Sequence, residues 1–189
     1  MAQQYLKMTE HRFEVDRLQE ELRAWPDVWN EIPLRTRAYA NSPHREIDDI
    51  WVRYNPLRNF DGDWTKFNGP HEAEWYPVAW RIPSVIELVI SLATKLETKE
   101  VGAVLITRVP PGKQVYPHVD RGWHARYYEK FVIQVASSPG QSFNFKDETL
   151  DARPGECYWF DNSQPHWVLN PTSEERISLI VCVRREKCH

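Results

Sequence analysis

No stretch of this chain approaches the roughly 20 consecutive apolar residues that a membrane span requires. Its polar opening, MAQQYLKMTEHR, has no signal-peptide hydrophobic region. A soluble, cytoplasmic protein with no membrane partner is expected. Positive charge is not in excess: Lys+Arg number 24 against 27 Asp+Glu, a formal net charge of -3. There is thus no basic field to attract a phosphate backbone, and no nucleic-acid partner is expected. Cysteine is scarce and odd in number. Cys157, Cys182 and Cys188 lack Cys-x-x-Cys spacing, which excludes a disulfide framework and reads as free thiols in a reducing compartment. Glycine, at seven residues, is outnumbered by nine tryptophans and by eight tyrosines. So many large aromatics either fill a core or line a ligand pocket, and filling a core is the commoner use.

At 189 residues the chain is long enough for one core without covalent staples. No repeat or low-complexity tract divides it, and its composition sets no oligomeric state. Periodicity separates two parts of a single domain. Residues 1–100 read as a helical and mixed α/β region packing on the core. There EHRFEVDRLQEELRAW places Val15, Leu18, Leu22 and Trp25 at helical spacing, ending at Pro26. DIWVRYN alternates like a strand, and the segment from Arg58 to Trp80 is a loop region punctuated by Gly and Pro. SVIELVISLATKL predicts a second helix, with Ser84 and Glu87 as a capping box and Val85, Leu88, Val89, Leu92 and Leu96 on one face.

Residues 101–189 change to short β-runs separated by turn signals: AVLITRV, QVYPHVD, FVIQVAS, SFNFK, ETLDA, ECYWFDN, HWVLN and RISLIVCVR. Many short, evenly spaced strands predict a sandwich or barrel. Eight is the strand count of a jelly roll, the double-stranded β-helix of cupins. The expected fold is mainly β with flanking helices.

The second run carries His118 and Asp120, whose side chains point to the same side of a strand. With seven histidines and ten aspartates in the chain, chance alone supplies about 0.4 such pairs, so the pair gains meaning only from a third group. His166 opens the seventh run and is expected to reach the same mouth from the opposite sheet. Two histidines and a carboxylate form the facial triad that holds non-haem Fe(II) and leaves coordination positions open. Arg176 heads the apolar run ISLIVCV, where a cation needs an anionic partner. Glu174 or Glu175 would answer a surface arginine. Within the triad reading, a dicarboxylate that chelates the metal at one end and meets the guanidinium at the other is the better partner.

From about Ile47 to Arg184 the chain resembles the aspartyl/asparaginyl β-hydroxylase family of Fe(II)- and 2-oxoglutarate-dependent dioxygenases. The resemblance lies in PPGKQVYPHVD, FDNSQPHWVLN and ERISLIVCV, in that order. It implies that His118 and His166 are iron ligands and that Arg176 binds the distal carboxylate of 2-oxoglutarate, assisted by Thr107. Asp120 completes the triad where the animal enzyme has glycine, so the metal site is more similar to the proline-hydroxylase branch. Where many members read Arg-x-His on the third run, this chain reads YYEKF, leaving Lys130 or Tyr128 to meet 2-oxoglutarate.

The activity implied couples oxidation of 2-oxoglutarate by O2, to succinate and CO2, with hydroxylation of an unactivated C–H. Its substrate is expected to be a free amino acid, peptidyl Asp/Asn or a similar small polar compound. The segment after the triad, RGWHARYYEK, leaves the barrel mouth and offers Arg121, Trp123, His124 and Arg126 for substrate binding. His124 also reads as a possible fourth metal ligand. Failing these, the aromatic segment from Trp64 to Trp80 would serve as the recognition surface. Two other functions fit the fold. A metal-dependent cupin enzyme that does not use 2-oxoglutarate would normally need a second His and a following Glu, which are replaced here by Asp120 and nothing before Glu129. A non-catalytic, Trp-rich jelly-roll binding protein would not need the triad and Arg176.

Overall fold

A computed structural model describes residues 3–37 and 40–185, so Cys188 lies outside the described residues. The strands are β1 (Tyr5–Arg12), β2 (Asp48–Tyr54), β3 (Glu74–Trp75), β4 (Thr98–Val109), β5 (Gln114–His118), β6 (Glu129–Ala136), β7 (Ser142–Phe145), β8 (Thr149–Leu150), β9 (Glu156–Phe160), β10 (His166–Leu169) and β11 (Arg176–Arg185). The helices are α1 (Asp16–Ala24), α2 (Trp64–Phe67), α3 (Ser84–Lys95) and α4 (Trp123–Tyr127). All eight runs of the C-terminal part form strands, β4 to β11. They build a double-stranded β-helix from a seven-stranded sheet, ordered β1-β9-β6-β11-β4-β2-β3, and a four-stranded sheet, ordered β5-β10-β7-β8. The first 100 residues also enter this structure. β1 pairs with β9 at one edge of the larger sheet, and β2 with β3 extends the other beyond β4.

β11 shows how sequence sets the layers. It lies between β4 and β6 in the middle of the larger sheet, and the alternate residues of RISLIVCV give it an unbroken apolar face. Ile177, Leu179, Val181 and Val183 join Leu18, Leu22, Val85, Leu88, Val89 and Leu92 of the two long helices in one buried cluster. Each fully buried leucine in it contributes roughly 2 kcal/mol relative to exposure. Burial of one apolar stripe, rather than local helix propensity, therefore holds α1 and α3 on the sheet. Arg176, Ser178 and Ile180 alternate to the other face and line the interior between the sheets. A second buried cluster closes that interior, with Val115, Phe143 and Val168 from the smaller sheet and Val132, Tyr158 and Phe160 from the larger.

Three local expectations are corrected. The single helix anticipated from Glu10 is a strand up to Arg12 and a helix from Asp16. Val15, Leu18 and Leu22 are buried, but Trp25 is 44% exposed and carries the Arg81 guanidinium over its ring. Tertiary pairing with β9 outweighed the helical pattern there. The capping box on α3 does not form, because Pro83 is the residue preceding the helix and Ser84 lies inside it. The Ser84 amide and hydroxyl instead donate to Glu21 of α1, while Glu87 pairs with Arg17. Finally, His166 does not come from the opposite sheet: β10 lies directly beside β5 in the smaller one, with His166 paired to His118.

Candidate active site

The end of β5 is irregular in register against β10, with an extra residue in β5 between Val115 and His118. Pro117 falls in this bulge, where its missing N–H costs no ladder bond. The bulge brings the His118 ring to 4.3 Å, centre to centre, from the His166 ring. Each ring is fixed in the same way: Nδ1 of His118 donates to the Tyr116 carbonyl (2.8 Å), and Nδ1 of His166 to the Gln164 carbonyl (2.9 Å). These bonds leave both Nε2 lone pairs facing inward. Asp120, held by its amide on the Asn162 carbonyl, completes the set. Its Oδ1 lies 3.8 Å from His118 Nε2 and its Oδ2 lies 3.9 Å from His166 Nε2. The ligand atoms of His118, Asp120 and His166 all lie within 4.8 Å of one another, and this donor set fits a divalent metal ion of the non-haem iron kind. His124 is not part of the cluster.

Electrostatics hold the ligands in the protonation states a metal needs. Burial lowers His118 below the usual histidine value and brings His166 to about 4. Burial by itself would raise the Asp120 carboxyl. The Lys130 ammonium, with Nζ 2.5 Å from Oδ2, and the two histidines outweigh it and hold the carboxyl at about 2.

Two cavities meet at the triad. The inner one, about 60 Å³, runs between the sheets and is bounded by Arg176, Thr107, Lys130, Ser178 and Tyr158 among apolar walls. Arg176 is 3% exposed. It donates through Nη1 to Ser178 Oγ at 2.8 Å and has no carboxylate partner among the described residues. Glu175 pairs instead with Arg108. Ser178 is oriented in turn by Gln134. The buried Tyr158 hydroxyl sits beside this guanidinium, and its pKa, raised by burial, is partly pulled back by the Arg176 charge and a hydrogen bond from it. A buried cation without an anion is the environment that a carboxylate would satisfy.

The outer cavity, about 510 Å³, opens beside His118 and Asp120. The structure brings together Thr107, Lys130 and Arg176 at the inner cavity, and Arg121 and His124 at the outer one. It does not bring Tyr128, Trp123 or Arg126 to either. The Tyr128 ring lies over Gly102 and its hydroxyl donates to Glu100, which leaves Lys130 as the residue of YYEKF facing Asp120 and the two histidines. Trp123 stacks on Tyr127 and meets His71 edge-on, because the segment after Asp120 coils into α4 and turns that side chain away. Arg126 is exposed. Trp64 of the alternative aromatic segment does line the outer cavity, whereas Trp80 is 68% exposed.

Sequence reasoning passed over Arg35 and His44, which line both cavities. They lie on an irregular segment without periodicity. A signal was nonetheless present in DIWVRYN: a carboxylate inside an apolar strand demands a cation, and the fully buried Asp49 accepts from Arg35 Nε at 2.9 Å.

This double-stranded β-helix places the chain in the fold class of the 2-oxoglutarate oxygenases. A prolyl-4-hydroxylase of Pseudomonas putida superposes with TM-score 0.52 at 16% identity, covering 97% of this chain and 93% of that one. The viral collagen prolyl hydroxylase of Paramecium Bursaria Chlorella virus-1 gives TM-score 0.52 at 14% identity over 97% of both chains. An oxidoreductase of the 2OG-Fe(II) oxygenase family from Burkholderia pseudomallei gives 0.53 at 14% identity, over 74% of this chain and 68% of that one. No curated protein matches the sequence. The aspartyl/asparaginyl beta-hydroxylase family model matches residues 5–186. The chain belongs to that family, and membership makes it a 2-oxoglutarate-dependent hydroxylase by class.

Proposed function

We infer that this hydroxylase holds Fe(II) on His118, Asp120 and His166, binds 2-oxoglutarate in the inner cavity with its distal carboxylate on Arg176, and hydroxylates an amino acid, peptidyl Asp/Asn or similar small polar compound. The observation that carries the reading is the pairing of a three-ligand cluster with a buried arginine that lacks an anionic partner, across one small cavity. Iron with 2-oxoglutarate and O2 would supply the oxidising chemistry for an unactivated C–H bond.

The chain's own groups position and shield. The two carbonyl-bound histidines present neutral Nε2 atoms, and Lys130 neutralises and orients the outer oxygen of Asp120. Ser178 fixes the Arg176 guanidinium so that its other nitrogens are ready for a carboxylate. Thr107, opposite Ser178 in the ladder, adds a hydroxyl to the same wall. Val132, Phe143, Phe160, Val168 and Ile180 make the remaining walls apolar, which excludes water from the reacting centre.

The test is an assay of purified protein for succinate formed from 2-oxoglutarate. Iron-dependent succinate is expected. Its absence from protein with iron bound would favour the cupin enzyme without 2-oxoglutarate or the binding protein, and those two are then separated by whether any metal-dependent turnover exists.

A further inference from the structure

The outer cavity carries a charge pattern that the iron and 2-oxoglutarate do not use. Arg35 reaches it from the segment before β2. Only Nε of its guanidinium is engaged, by Asp49; neither terminal nitrogen has a hydrogen bond among the described residues, and Nη2 is buried. His44 lies beside it, its ring edge-on to His118 at 4.8 Å, with a buried Nδ1 that has no partner among the described residues. A third buried nitrogen without a partner, Nε2 of His124, belongs to the same lining. Unsatisfied buried polar nitrogens of this kind are rare in folded proteins and call for a ligand.

Carboxylates are scarce on the same walls. Among the described lining residues Asp120 is the one carboxylate, and it is already paired with Lys130. The Asn68 side-chain oxygen accepts from the Tyr54 hydroxyl. Asp49, which neutralises Arg35 from behind, does not face the cavity. Around the two cavities the cations Arg35, Arg121, Lys130 and Arg176 outnumber the carboxylates Asp49 and Asp120. A divalent metal and doubly charged 2-oxoglutarate cancel each other, so two positive charges remain before any histidine is counted. One face of the cavity is aromatic, formed by Trp51, Tyr54 and Trp64, and its volume of about 510 Å³ is that of a small-molecule site.

We propose that the outer cavity is the substrate site and that it takes a small carboxylate compound bearing no charged amine, with the carboxylate against Arg35 and His44 and the uncharged body against Trp51, Tyr54 and Trp64. This rests on the function proposed above and narrows its substrate class: the site selects an acid whose nitrogen, if it has one, is acylated.

The experiment is calorimetry on the Mn(II)-loaded protein in two stages. 2-Oxoglutarate is titrated first; no binding there would contradict the proposed function itself, and this inference with it. The 2-oxoglutarate complex is then titrated with each proteinogenic amino acid in three forms: free, N-acetylated, and N-acetylated with the carboxylate converted to an amide. At least one N-acetyl acid should bind about tenfold or more tighter than both its free and its amide form. Arg35→Gln should weaken that ligand about 30-fold or more. Because Arg35 also answers the buried Asp49, His44→Phe provides a second arm that keeps a ring against His118 and removes the nitrogen; a loss of about tenfold is expected there. Tightest binding by a free amino acid, equal binding of acid and amide, no binding by any N-acetyl acid, or unchanged affinity in a folded variant would overturn the proposal and leave the 2-oxoglutarate site standing.

Discussion

His166 lies directly across from His118 in the β5–β10 ladder, and the two rings, each tied by Nδ1 to a carbonyl two residues back, face one carboxylate. The ladder and the apolar clusters hold this arrangement without help from the ligands. His118→Ala, Asp120→Ala and His166→Ala should therefore each abolish Mn(II) binding and turnover while the protein stays folded. His166→Ala should also lose about 1–2 kcal/mol of stability, since that ring stacks on Phe143. Calorimetric metal titration with a denaturation curve checks both, and normal Mn(II) affinity in purified His166→Ala would remove the triad assignment.

Arg176 is the buried cation of the inner cavity. Arg176→Ala should weaken 2-oxoglutarate binding by about 2–5 kcal/mol, the cost of breaking a buried charge-assisted pair. Lys130→Ala should cost less, because Lys130 is already engaged with Asp120. Titration of the Mn(II) proteins with 2-oxoglutarate ranks them, and the opposite order would put the cosubstrate nearer β6 than β11.

Gly102 of β4 and Tyr128, just before β6, form a packing pair against the larger sheet. A Cβ added at Gly102 would stand 2.6 Å from the Tyr128 ring, well inside contact distance, and the ring is held by its bond to Glu100. Gly102→Ala should lower stability by about 1–3 kcal/mol, and Tyr128→Ala in the same chain should relieve the clash, so that the two effects are not additive. Additive losses in chemical denaturation would mean that Tyr128 moves aside freely.

The metal-free protein should weaken as it is acidified from pH 7. Burial lowers His124 to about 3 and His166 to about 4, and lowers His44 and His118 in the same direction. The unfolded chain takes up protons near the ordinary value of about 6.5 while the folded chain does not. The stabilisation is thus fully present above pH 6.5 and is lost as pH falls towards the folded values. Each histidine that stays neutral costs roughly 1 kcal/mol per pH unit in that window. Urea midpoints measured at pH 7.5, 6.5 and 5.5 should fall between the last two; a flat profile would mean that these rings are not held neutral.

Much of this was legible in the chain because the informative patterns are local. The period-2 runs marked β4 to β11, and His118, Asp120, His166 and Arg176 sit at strand ends that turn residues delimit. Pairing is not local, so the neighbouring position of β5 and β10 could not be read from their spacing, nor could β1 be recognised as an edge strand for β9. The Ser84–Glu21 cap joins two helices and imitates a capping box in sequence. Arg35 and His44 were hidden for another reason: an irregular segment has no period, and only the buried Asp49 of β2 hinted that a cation must return to it.

We propose that 2-oxoglutarate meets iron on these three residues with Arg176 at its far end. Anaerobic titration of the Fe(II) protein with 2-oxoglutarate tests it most directly, since chelation of Fe(II) by a 2-oxo acid produces a visible charge-transfer absorption. The expected result is a band that saturates at one 2-oxoglutarate per chain, is lost in His166→Ala, and requires much higher 2-oxoglutarate concentrations in Arg176→Ala. A band that persists in His166→Ala, or 2-oxoglutarate that binds the Fe(II) protein without producing one, would contradict it.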